Sequence, residues 1–81
     1  MDITEFKRQA TKLTELKLTA LLKSELKNTK PLVCRQFFQA YAEALIKGYE
    51  LATGTELDKD LRTYLIIDIL VDSGVLATVL V

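Results

Sequence analysis

Along the first third of the chain, apolar residues return every three or four positions. Ile3, Phe6, Ala10, Leu13, Leu16 and Ala20 fall on one side of a helix, with Lys, Glu, Thr and Gln mostly between them. Residues 2 to 27 are also rich in Leu, Lys, Glu and Ala, which lose little side-chain freedom in a helix. The pattern predicts a helix over this span. Leu18, Leu22 and Leu26 repeat by four on a different face. The C-terminal half of this helix therefore carries two apolar stripes and is expected to touch two neighbours, the reading preferred being a helix shared between subunits.

Pro31 follows Asn28, Thr29 and Lys30, and Gly54 stands between Thr53 and Thr55. Proline's missing donor is harmless in a first turn and glycine is a natural C-terminal cap, so the second helix is predicted from Pro31 to Gly54. Arg35, Gln36, Gln39, Glu43, Lys47 and Glu50 form its polar face, with Glu43 and Lys47 placed as an i,i+4 pair. Val33, Phe37, Phe38, Tyr41, Leu45 and Tyr49 lie opposite. Within that arc Ala40, Ala44, Gly48 and Ala52 make a ridge almost without side chains, along which another helix can approach closely. Such a ridge serves either a dimer interface or ordinary packing between helices of one chain.

The third helix is expected to start at Thr55 as its cap, with Glu56 and Asp58 complementing the positive end of the helix dipole, and to run to Asp72. Leu57, Leu61, Tyr64, Leu65 and Ile69 line one side, and residues 64 to 71, apolar nearly all round, are expected to be deeply buried. Ser73 to Val81 read as a short fourth helix capped by Ser73, or as a strand folding back on residues 65 to 71 through the turn at Asp72, Ser73 and Gly74. The predicted fold is all-α. It is a small three-helix bundle, a long antiparallel hairpin carrying a third helix and a short C-terminal helix or strand, in one domain over residues 1 to 81.

Composition changes this picture in one respect. Of 81 residues 49% are hydrophobic and 27% charged, which excludes disorder. A chain of this size buries only about 60% of the surface its unfolded form exposes. Apolar surface is then left over, and a second copy or a larger partner is the expected cover.

Charge refines it further. Eleven basic and eleven acidic residues cancel, so no overall field draws the chain to nucleic acid or an anionic membrane. Yet residues 1 to 35 hold eight Lys or Arg against four Asp or Glu, and residues 36 to 81 hold three against seven. Such a charge dipole can steer head-to-tail association or present two faces to different partners. Met1-Asp2-Ile3-Thr4-Glu5 has neither the basic start nor the apolar core of a secretory signal, and a single cysteine forms no internal disulfide; a cytoplasmic location is expected. The apolar stretch 64 to 81 is broken by Asp68 and Asp72, each costing roughly 2.5 to 3.5 kcal/mol in a bilayer, so it reads as core rather than membrane span.

Candidate chemistry is thin. The chain has no histidine, the commonest general base and metal ligand, and three scattered glycines with one cysteine build no phosphate loop, nucleophile elbow or zinc site. Cys34, in the first turn of the second helix beside Arg35, could be an activated thiol, but a buried small hydrophobe is the favoured reading. Asp68 and Asp72, one turn apart, make at best a weak cation site, because no third acidic group is near in sequence. The favoured alternative pairs Asp68 with Lys17 and leaves Asp72 to accept a hydrogen bond near the Ser73-Gly74 break. No metal or cofactor is expected.

Lys7, Arg8, Lys12, Lys17, Lys23, Lys27, Lys30 and Arg35 spread around their helix with Glu5, Glu15 and Glu25 interleaved, which describes a solvated surface better than a phosphate-binding stripe. The functional expectation is a non-enzymatic protein-interaction module of regulatory, adaptor or inhibitor-like kind, pairing with itself as a homodimer or with a larger protein. Leu18, Leu22 and Leu26 are the first contact candidates, together with the Ala40, Ala44, Gly48 and Ala52 ridge. The alternatives are a small nucleic-acid-binding regulator using the basic N-terminal half, and a structural piece of a larger assembly.

Overall fold

The structure, a computed structural model, describes residues 2–24 and 31–79. It contains α1 (Ile3–Ser24), α2 (Pro31–Thr53), α3 (Lys59–Asp72) and α4 (Val75–Val79), with no strand among the described residues. The segment from Val75 to Val79 is thus helical, and the hairpin alternative falls away there. Leu26 and the predicted last turn of the first helix lie outside the described residues.

Each helix starts and stops for a local reason. The backbone N–H of Glu5 donates to the Asp2 carboxylate at 2.8 Å, which satisfies one of the free amides of the first turn. Pro31 opens α2, and Gly54 ends it at φ +68°, a left-handed conformation that residues with a Cβ adopt at a cost. The cap of α3 is Asp58 rather than Thr55; its carboxylate accepts from the Leu61 N–H at 2.8 Å. The delay has a physical cause at Leu57. This side chain is buried, its N–H donates to the Glu50 carboxylate at 2.8 Å, and its carbonyl accepts from Arg62 Nε at 3.1 Å. The chain is pinned in a non-helical conformation until Leu57 has entered the core. After α3, Ser73 N–H returns to the Ile69 carbonyl and Gly74, at φ +87°, turns the chain into α4.

The core has two parts. Phe6, Ala10, Ala42, Ile46, Leu57, Leu65 and Ile69 form one, and Leu18, Cys34, Phe38, Leu70 and Val75 form the other, with Ile66 packed against both. The first part joins the start of α1 to the end of α2, where Phe6 and Tyr49 stack with centroids 4.5 Å apart, and the second joins Leu18 to Cys34 and Phe38. The two long helices are therefore antiparallel, as expected. Phe38, Ile46 and Ile69 are almost wholly buried, each contributing about 1.5–3 kcal/mol by removal from water.

The register of α1 differs from the sequence reading. The buried row is Phe6, Ala10, Thr14 and Leu18, while Leu13 and Leu16 are 47% and 55% exposed. Thr14 can enter the core because its hydroxyl donates to the Ala10 carbonyl at 2.8 Å. α1 does touch two neighbours, α2 and α3, but both belong to the same chain. On α2 the buried row is Cys34, Phe38, Ala42 and Ile46, and Phe37 is largely outside it.

Candidate interaction faces

The sequence-predicted contact residues separate on the structure. Leu18 is core, packed with Cys34, Phe38, Leu70 and Val75 of its own chain, and so offers no surface to a partner, contrary to the expectation from sequence. Leu22 stays 40% exposed. Ala40, Ala44, Gly48 and Ala52 are all exposed, so the ridge lies on the outside of α2 rather than in its apolar core arc. A Cβ built on Gly48 meets nothing within 4 Å. Among the described residues no side chain fills the space above Gly48.

Each four-residue step advances about 40° around a helix of 3.6 residues per turn, so this ridge winds across the surface. Ala40 and Ala44 border a groove between α2 and α3 whose other walls include Lys47, Lys59 and Arg62. Gly48 and Ala52 instead border a smaller, apolar groove of about 260 Å³ between α1 and α2, with Leu13, Leu45 and Tyr49. The four small residues thus serve two different grooves. Glu43, expected beside Lys47, accepts a hydrogen bond from Gln39 Nε2 at 3.4 Å.

The strongest departure lies on α3. Only Leu65, Ile69 and Leu70 of this helix are buried, and the expectation that residues 64 to 71 are buried all round is overturned. Tyr64, Ile67 and Val71 are 68%, 52% and 52% exposed. Their i, i+3, i+7 spacing sets them in one stripe, turned away from the core side chains of the same helix. On α1, Leu13, Leu16 and Ala20 form a second exposed stripe with the same spacing.

Between these helices lies a small ionic cluster. Lys7 Nζ is 2.9 Å from Asp68 Oδ2 and 3.9 Å from Asp72 Oδ2, so Asp68 pairs with Lys7 and not with Lys17, which is exposed. Both members of the closer pair keep about a third of their surface, so it ties α1 to α3 at the rim of the core rather than inside it. The Asp68 hydrogen bond, reinforced by its charge and that of Asp72, holds the Lys7 ammonium above the ordinary 10.5, with partial burial acting in the opposite sense. Asp72 faces Lys7 rather than the Ser73-Gly74 break. Lys7 was legible in principle. It follows Phe6 directly and so borders the row that is buried once Thr14 is admitted to it.

Cys34 is buried at 3% exposure beside Phe38, the setting of a small hydrophobe. Among the described residues no group of three or more acidic, cysteine or histidine side chains is placed to hold a metal ion, and no helix is long and apolar enough to cross a membrane. Comparison of the chain with family models, with curated proteins and with solved structures gives no match.

Proposed function

We propose that this chain is a non-enzymatic protein-interaction module that associates with further copies of itself, in the manner of a small regulatory or adaptor protein. The observation that supports the reading is the uncovered stripe of Tyr64, Ile67 and Val71. Large apolar side chains at helical spacing, all facing water, are the pattern of a helix that packs against something on both sides. Among the described residues the inner side packs on α1, α2 and α4, and the outer side is exposed. The small apolar groove that Gly48 and Ala52 border adds a second exposed surface.

Sedimentation equilibrium across a wide concentration range tests this directly. The wild-type chain is expected to associate reversibly, and to do so in moderate as well as low salt, because apolar side chains carry the contact. A chain that stays monomeric to about 1 mM, far above the range of specific protein complexes, refutes self-association. A contact that vanishes with modest salt and returns with added oligonucleotide would point instead to nucleic-acid binding through the basic N-terminal half.

A further inference from the structure

The two exposed stripes match each other in spacing, length and charge. Leu13, Leu16 and Ala20 on α1 and Tyr64, Ile67 and Val71 on α3 both follow i, i+3, i+7, and each spans about 10.5 Å at 1.5 Å per residue. This is the seam spacing by which two helices pack along one another. The charges beside the two stripes differ in net sign, although Glu15 lies near Leu13 on α1 and Lys7 pairs with Asp68 on α3. One turn away from the α1 residues, at i±3 and i±4, the charged neighbours are Lys12, Lys17 and Lys23, all exposed. One turn away from the α3 residues they are Asp60 and Asp68, with Asp72 just beyond. Lys7 offsets part of that acidity and leaves an excess of negative charge along the helix.

Within one chain these stripes cannot meet. Lys7 marks the side of α1 that faces α3. Leu16 lies nine residues later, about half a turn around the helix at 100° per residue, and so faces the opposite way. On the premise that the chain self-associates, we infer that α1 of one copy packs on α3 of the next, leucines on Tyr64, Ile67 and Val71 and lysines beside aspartates. The contact is head to tail. After pairing, one copy keeps its α1 stripe and the other its α3 stripe, so association continues into rings or filaments instead of stopping at a two-fold dimer. Three side chains per partner make a contact below the roughly 1,200 Å² that marks weak interfaces, and weak association, complete below about 1 mM, follows.

Two variants with broken stripes test the geometry. Leu16→Glu sets an acid opposite the aspartates of α3, and Ile67→Lys sets a base opposite the lysines of α1; both sites are more than half exposed. By sedimentation velocity each variant alone is expected to be monomeric where the wild type is oligomeric, with helical content unchanged by circular dichroism. Mixed in equal amounts, they are expected to associate again, since each supplies the stripe the other lacks and the two altered faces now attract. A mixture that stays monomeric while the wild type associates overturns the head-to-tail contact and leaves self-association standing. So does a variant that still associates by itself, the sign of a contact between like faces. A wild-type chain that never associates overturns both. Should either variant lose helicity, the surface-only pair Lys12→Glu/Lys23→Glu and Asp60→Lys repeats the test without touching an apolar side chain.

Discussion

Gly48 offers the sharpest test of how the outer face of α2 is used. It sits in the interior of a 23-residue helix, is exposed, and has an ordinary negative φ, so an alanine there needs no backbone change. Its added Cβ would meet nothing within 4 Å. Gly48→Ala should therefore return the full propensity difference between glycine and alanine, about 0.8–1.0 kcal/mol of added stability. For a domain this small that is a rise in Tm of roughly 4–8 °C. Gly54→Ala gives the internal control. It also meets open space, but at φ +68° the new Cβ costs about 1–2 kcal/mol, so the same substitution six residues later must have the opposite sign. Urea unfolding followed by circular dichroism, at a concentration where the chain is monomeric, reads both. A destabilised Gly48→Ala monomer would refute the exposed placement of the ridge. If the variant is more stable as a monomer but associates less, another copy seats its helix on the ridge, and the α1 to α3 contact is not the principal one.

Other substitutions probe the inside of the molecule. Leu18→Ala should cost about 2–5 kcal/mol by leaving a cavity against Phe38 and Leu70; against a total of about 4–12 kcal/mol for 81 residues, Leu18→Glu should unfold the chain, and a folded but dissociated Leu18→Glu variant would restore Leu18 to the surface. Asp58→Ala should cost about 1 kcal/mol through loss of the α3 cap, and Thr55→Ala close to nothing; equal losses in urea titrations would contradict the observed start of the helix. Because Lys7 is charged more readily in the folded chain than in the unfolded one, its contribution is complete below pH 10.5 and is lost as pH rises through the higher folded-state value. Thermal unfolding above pH 10.5 should accordingly decline more steeply in the wild type than in Lys7→Met, and parallel curves would show that the ion pair does not stabilise the fold.

The helical fold was legible because its local signals agree: strong helix formers in α1, Pro31 and Gly54 at the limits of α2, and acidic residues ahead of α3 that favour its N-terminus. The registers were harder to read, for a reason visible on α1. A helix carrying Leu at 13, 16, 18, 21 and 22 offers several apolar stripes of similar quality, and periodicity alone cannot rank them. What decides is the partner surface. α2 and α3 accept the row from Phe6 to Leu18, which includes a threonine that hydropathy counts against the core. The misplaced start of α3 has a similar origin. Thr55 and Asp58 are both acceptable caps in sequence, and only the burial of Leu57 and its bonds to Glu50 and Arg62, set by tertiary contact, selects the second.

On α3 the pattern was read correctly and its consequence was not. Residues apolar nearly all round imply a helix covered on nearly every side, and the described residues leave the outer side of α3 exposed. Tyr64, Ile67 and Val71 contribute little to their own core, and as aromatic or β-branched residues they favour the helix less than Glu, Lys or Gln would. Within a single copy, then, nothing in the energetics of this fold requires them; polar replacements would leave the inner face of Leu65, Ile69 and Leu70 untouched. On the proposed self-association, their use lies in a contact with another copy. The charges select among such contacts, because a stripe with an excess of aspartates over Lys7 repels a second copy of itself and attracts one with an excess of lysines. α1 carries such a stripe, at the same spacing, on the side its own α3 cannot reach.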